Sequence, residues 1–287
     1  MSEHPHARAN DLDSMSPREL LELMNAEDRH AVAAVGPMLD RIAEAVEQVA
    51  ERIRSGGHLH YFGAGTSGRI AALDAAECPA TFGVVPELVQ AHFAGDGEAE
   101  DDRVKGRTHA RQARLSAKDA VVGVSASGRT AYVRAALDEA RSTGALCVAL
   151  TCAPGSPLGA KADVAIEIDA GPEVIAGSTR LKAGTAQKVV LNMISTGVFS
   201  RLGHTYRGRM VDVVAGNEKL RGRASRIVSD LTGRPDHEVQ VALAEAGGNA
   251  KVAILMLRCR LTATKARSRL QAVDGDLSAA LGERTSS

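Results

Sequence analysis

The 287-residue chain has no tryptophan, and aromatic residues make up only 2% of it. A core without them must be built from Ala, Val, Leu and Ile, which suits helices on a parallel sheet whose strands read as short aliphatic runs. Neither sign of charge is in excess, since 35 basic residues balance 35 acidic ones. A nucleic-acid surface needs a basic stripe and, for single strands, stacking aromatics, so no nucleic-acid partner is expected. No run of about 18 apolar residues occurs, so neither a membrane span nor a membrane partner is expected. The amino terminus has no apolar signal-peptide core, which makes the cytoplasm the expected location. The four cysteines, Cys78, Cys147, Cys152 and Cys259, form no CxxC pair, and no Cys/His group has metal-ligand spacing. They read as reduced core thiols.

What is present is a 44% hydrophobic chain, long enough for one substantial core and a small appended domain. Residues 1–47 read as a helical segment. Ser16-Pro17-Arg18-Glu19 supplies an N-cap, a Pro at N1 and a Glu at N3, and a second helix is expected over about 32–53, ended by Gly56-Gly57. From His58 strands alternate with helices. Strands are expected at 58–62, 87–93, 120–124, 145–150 and 164–168, and helices at 67–76, 132–141 and 179–201. This alternation implies right-handed βαβ units and an α/β fold, a doubly wound parallel sheet, over 48–220. Residues 221–287 carry three amphipathic helical stretches without strand signals and read as a small helical domain.

Two turns carry chemistry. Gly63-Ala64-Gly65-Thr66-Ser67-Gly68-Arg69 follows the first strand, and Ser125-Ala126-Ser127-Gly128-Arg129-Thr130 follows the third. A strand-to-helix turn of this kind presents free N–H groups and a positive helix end to an anion. The first turn lacks the lysine of a Walker motif. It also lacks the acidic residue that would end the next strand of a dinucleotide site, so NAD is not expected. In an open parallel sheet both turns gather at the carboxyl ends of the strands. Gly65, Thr66, Ser67, Ser125, Ser127 and Thr130 are the candidate ligand contacts.

The two turns resemble those of the sugar isomerase (SIS) phosphosugar-binding domain. Longer stretches are similar, in order and spacing, to the N-acetylmuramic acid 6-phosphate etherase family. These are Gly63–Arg69, Asp74-Ala75-Ala76-Glu77-Cys78-Pro79 with Thr81–Gly83, Ser125–Thr130, Gly177–Lys188, Met210–Val214 and Asn217–Leu220. The resemblance runs from about Asn10 to Leu257. It implies an SIS-type, flavodoxin-like sheet and a homodimer. It also implies a carbon–oxygen lyase of cell-wall sugar recycling that uses a sugar phosphate as its small-molecule partner. Such an enzyme releases D-lactate from C3 of N-acetylmuramic acid 6-phosphate, leaving N-acetylglucosamine 6-phosphate.

Elimination from the open-chain aldehyde, followed by addition of water, needs one group to take the C2 proton and one to protonate the departing oxygen. It needs no metal and no organic cofactor. The resemblance places Glu77 as the acid, with partial burial expected to raise its pKa, and Glu100 as the C2 base. The segment before Glu100 is shorter than the family's usual connection, and Ala80 and Ala153 also depart from the pattern. Lys182 is a candidate contact for the phosphate or the lactate carboxylate, while Lys188 and Glu218 are candidates to line the site. Histidines 58, 60, 92 and 204 have no partner that the sequence identifies. Two alternatives share the domain: a sugar-phosphate isomerase, and a non-catalytic regulator that senses a sugar phosphate. The amino-terminal residues offer no recognition helix for a transcriptional regulator.

Overall fold

The computed structural model describes residues 4–213 and 218–283, which form two compact units. Of the family-like stretches, Val214 and Asn217 lie outside the described residues.

The larger unit comprises residues up to Glu77 and Pro86–Gly197. It opens with α1 (Pro17–Ala33), whose capping box pairs Ser16 with Glu19. The helix α2 (Leu39–Arg54) buries Ile42, Val46 and Val49 along one stripe. Val32 belongs to α1 rather than to the second helix, because a short 3-10 turn at Gly36–Met38 separates the two. Five strands follow: β1 (Leu59–Gly63), β2 (Val89–Phe93), β3 (Ala120–Val124), β4 (Leu146–Thr151) and β5 (Val164–Glu167). They form a wholly parallel sheet in the order β2-β1-β3-β4-β5. β1, β3 and β4 are buried at every residue, as expected for aliphatic strands covered on both faces.

The helices α3 (Gly65–Phe82), α4 (Arg103–Gln112), α5 (Ala131–Ser142) and α6 (Lys182–Arg201) complete the α/β pattern. α3 runs past the expected end at Ala76 and takes Pro79 into its last turn. α4 is not legible in the sequence, since its buried face is only Gly106 and Ala110. A Cβ on Gly106 would stand 2.3 Å from the Tyr132 carbonyl oxygen, so close packing on α5 replaces an apolar stripe.

The described residues of the smaller unit are Cys78–Val85, 198–213 and 218–283. A hairpin of β6 (Thr205–Tyr206) and β7 (Arg209–Met210) turns on Arg207 and Gly208, both at positive φ. Where three helical stretches are expected, five helices occur among the described residues: α7 (Glu218–Thr232), α8 (Asp236–Glu245), α9 (Ala250–Cys259), α10 (Ala263–Gln271) and α11 (Leu277–Ala280). Their core gathers Val228, Val239 and residues 252–255 of α9. Asp212 joins His204 Nδ1 at 2.9 Å to the ammonium of Lys251, so His204 has a partner. No helix among the described residues is long and apolar enough to cross a membrane.

Candidate active site

The strand order reverses between β1 and β3, and there the two glycine turns leave the sheet side by side. Gly63 at the end of β1 pairs with Val124 at the end of β3, so Ala64 and Ser125 start adjacent turns at the carboxyl edge. This is the switch-point crevice in which open α/β sheets bind ligands.

The second turn is held by its own hydroxyls. Ser125 Oγ accepts from the Gly128 N–H at 3.1 Å and lies 2.8 Å from Thr130 Oγ1. Ser127 Oγ accepts from the Arg129 N–H. Gly128 has φ +65°, and a Cβ there would stand 2.4 Å from Ser156 Cβ. Ser125 is buried, while Ser127 and Thr130 are half-buried at the mouth of the crevice.

The first turn opens α3 at Gly65, with Thr66 half-buried. Ser67 is buried and donates from Oγ to Oε1 of Gln187 on α6 at 2.9 Å. Gln187 is 0% exposed, and its Nε2 has no hydrogen-bond partner among the described residues. A buried amide donor left open beside a ligand turn is a group that a bound oxygen would satisfy. Gln187 is not legible as a site residue in the sequence, where its place next to Lys188 in the 177–188 stretch is the available signal.

The structure brings Glu100 to this turn. Gly65 has φ +53°, and a Cβ on it would stand 2.7 Å from Glu100 Oε1. The neighbouring acids have other tasks. Asp96 pairs with Arg69, Asp102 caps α4 by accepting from the Lys105 N–H, and Glu98 is exposed. Burial, together with the charges of Asp96 and Asp101, pushes the Glu100 carboxyl above its ordinary range.

Glu77 differs from expectation. Its side chain is 61% exposed, because it lies on the outward face of α3, whereas Asp74 and Cys78 face inward. Lys188 Nζ is buried without a hydrogen-bond partner among the described residues, 3.7 Å from Glu77 Oε2 and 3.9 Å from Asp74 Oδ1. Asp74 accepts from Tyr61 Oη at 3.0 Å and Ser195 Oγ at 3.2 Å. Burial raises its pKa despite these donors and Lys188. Asp74, Glu77 and Lys188 thus form one charged cluster.

Lys182 also differs. At 2% exposure its ammonium pairs with Glu27 of α1 and donates to the Pro172 carbonyl oxygen. It therefore ties α1 to the start of α6 and is not open to a ligand in this chain. Glu173, also buried, accepts from the N–H groups of Lys182 and Ala183 and so caps α6. Glu218 is exposed at the start of α7.

Residues 105–196 match the SIS domain family, and residues 41–141 match the glucokinase regulatory protein N-terminal SIS domain family. Among solved structures, the chain is similar to a putative phosphosugar isomerase involved in capsule formation from Bacteroides fragilis. The TM-score is 0.54 and the identity 23%, over 65% of this chain and 91% of that one. A likeness at that identity establishes the fold. The chain is 50% identical to the N-acetylmuramic acid 6-phosphate etherase of Rubrobacter xylanophilus, over 95% of this chain and 93% of that protein. It is 45% identical to the protein of the same name from Mycolicibacterium smegmatis, over 98% and 97%. With such identity over almost its whole length, the chain belongs to the N-acetylmuramic acid 6-phosphate etherase family.

Proposed function

We infer that this protein is a carbon–oxygen lyase that cleaves the D-lactyl ether of N-acetylmuramic acid 6-phosphate to N-acetylglucosamine 6-phosphate and D-lactate. Near-full-length identity with the family supports the overall reaction. The observation that carries the site assignment is the Glu100 carboxylate seated against Gly65 of the first turn. Thr66, Ser67, Ser125, Ser127 and Thr130 hold the phosphate through N–H and hydroxyl donors, while Gly65, whose N–H donates to the Gly95 carbonyl oxygen at 2.9 Å, shapes the turn. Glu100, its basicity raised by burial and like charge, removes the C2 proton of the open-chain aldehyde. Lactate leaves C3 with a proton from Glu77. Water then adds to the conjugated double bond with Glu77 as base, and a proton returns to C2. The near-full-length relatives carry the etherase name and support the lyase reading over the isomerase and regulator alternatives.

The two carboxylates are far apart along one chain. Glu77 lies twelve residues beyond Gly65 on α3, which is about 18 Å of helix at about 1.5 Å per residue. The C2 proton and the C3 oxygen sit on neighbouring carbons, a spacing far shorter than this helical span, which favours acids drawn from two copies. A homodimer resolves this if the second copy's Glu77 reaches the turn that holds Glu100. The outward face of α3 suits such pairing, with Leu73 49% exposed and Ala76 and Ala80 exposed beside Glu77. Lys182, held by Glu27, acts as a brace for α6. A binding domain over 48–220, a helical domain over 221–287, a cytoplasmic setting and a role in cell-wall sugar recycling belong to the same proposal.

The test is release of D-lactate from N-acetylmuramic acid 6-phosphate by the purified protein, with Glu77→Ala and Glu100→Ala alongside. Wild type turning over while both variants bind substrate without releasing lactate is the expected result. Binding without any lactate release by wild type would overturn the reading.

A further inference from the structure

Three polar side chains meet at the amino end of the sheet, away from the glycine turns. His58 immediately precedes β1 and Asp119 immediately precedes β3, and the Leu59–Ala120 register makes the two lateral neighbours. His58 Nδ1 stands 3.1 Å from Asp119 Oδ1. His60, two residues along, projects to the same face of the sheet. One donor atom each from His58, His60 and Asp119 lies within 4.8 Å of the other two. The next strand contributes His92, whose Nε2 is 3.1 Å from His60 Nδ1 and whose ring stacks on the His60 ring at 5.4 Å.

The cluster is held in place. Asp119 Oδ2 accepts from the N–H and Oγ of Ser116, and Oδ1 accepts from the His58 N–H. These contacts fix the carboxylate whether or not His58 Nδ1 also bonds to it. His60 is buried, while the His58 side chain is 44% exposed and leaves a path from solvent.

We propose that His58, His60 and Asp119 bind a divalent transition metal ion of the zinc type, with His92 orienting His60 from behind. Two imidazoles and one carboxylate select borderline metals over calcium or magnesium, which prefer all-oxygen sites. With Nδ1 of His60 directed to His92, Nε2 is the nitrogen left for the metal, the outer-partner arrangement common to metal-bound histidines. His58 can serve through Nδ1 by carrying its proton on the outer nitrogen. The ion would tie β1 to β3 at the end of the sheet opposite the two turns, about 17 Å away along five residues of strand. Its effect is therefore on stability, and the inference is independent of the reaction assigned above.

The experiment uses the untagged full chain, stripped with chelator and titrated with Zn2+ by calorimetry, with melting and D-lactate release measured in parallel. One Zn2+ per chain, a saturable rise of a few degrees in the melting midpoint and unchanged lactate release are expected. His58→Gln should weaken binding at least about tenfold, as should His92→Gln through the lost orientation of His60. Binding should persist when His4 and His6 are both replaced by Gln. A Co2+ visible absorption band on wild type gives a readout that needs no variant to fold. Absence of binding up to millimolar Zn2+, equal affinity in His58→Gln, loss of binding in the His4/His6 variant, or no Co2+ band would each overturn the proposal.

Discussion

The carboxylate of Glu100 occupies the space in which a side chain at Gly65 would stand, with Oε1 2.7 Å from the position of that Cβ. Gly65→Ala therefore introduces two faults, a left-handed backbone at φ +53° with a Cβ attached, and a methyl group where the carboxylate lies. The backbone fault costs about 1–2 kcal/mol, visible as a lower melting midpoint. The displaced carboxylate should lower lactate release about 10- to 100-fold in a protein that still folds. Full activity in Gly65→Ala would show that Glu100 does not work from this position.

The separation of Glu77 from Gly65 along α3 can be tested by mixing. Glu77→Ala and Glu100→Ala, each inactive alone, are unfolded together and refolded. If each site takes its acid from one copy and its base from the other, half the dimers contain one intact site, and about a quarter of wild-type activity returns. Sites built within single chains would return none. Lactate release by the mixture distinguishes the two outcomes.

Glu100 must be ionised to take a proton, and its pKa is raised in the fold. Activity is therefore lost as pH falls through that raised value. The acid limb of log kcat/KM should lie above 4.5, the ordinary glutamate value. Asp96→Asn removes one of the charges acting on Glu100 and should move the limb toward lower pH. The move should be partial, because burial is the larger cause. A limb unmoved in Asp96→Asn, or one at the ordinary value, would separate Glu100 from the chemistry.

Gln187→Leu takes the acceptor from the Ser67 hydroxyl in a buried position. Loss of that bond should destabilise the protein by about 1–3 kcal/mol and raise KM about tenfold as Ser67 loses its orientation. Ser67→Ala in the Gln187→Leu background should then cost less than it does in wild type, because the two residues act as a pair. Steady-state kinetics on the four proteins of the cycle checks this.

The strands were legible because Ala120–Val124 and Leu146–Thr151 are aliphatic runs bounded by glycine and hydroxyl turns. Both turns were legible as well, since only glycine and short hydroxyl residues permit so close an approach of backbone to ligand. α4 was not, because Gly106 and Ala110 bury a face through smallness rather than through an apolar stripe. Burial at both ends of the charged set runs against the local sequence pattern. Glu77 sits among small and apolar neighbours in sequence yet faces outward, and Lys182 lies in a polar stretch yet is buried on Glu27. Periodicity near a helix end does not indicate which face the rest of the fold will cover.

The sequence by itself determined the alternation of strands and helices, the two anion turns and, through its longer stretches, the family. Local residue types decide all of these. Only the tertiary structure decided which acid of the run from Asp96 to Asp102 reaches Gly65, which buried amide meets Ser67, and which partners His58, His60 and His92 find. Those pairings join residues 32 to 120 positions apart, and they depend on strand order and register. A parallel sheet sets both through crossovers that no local pattern encodes.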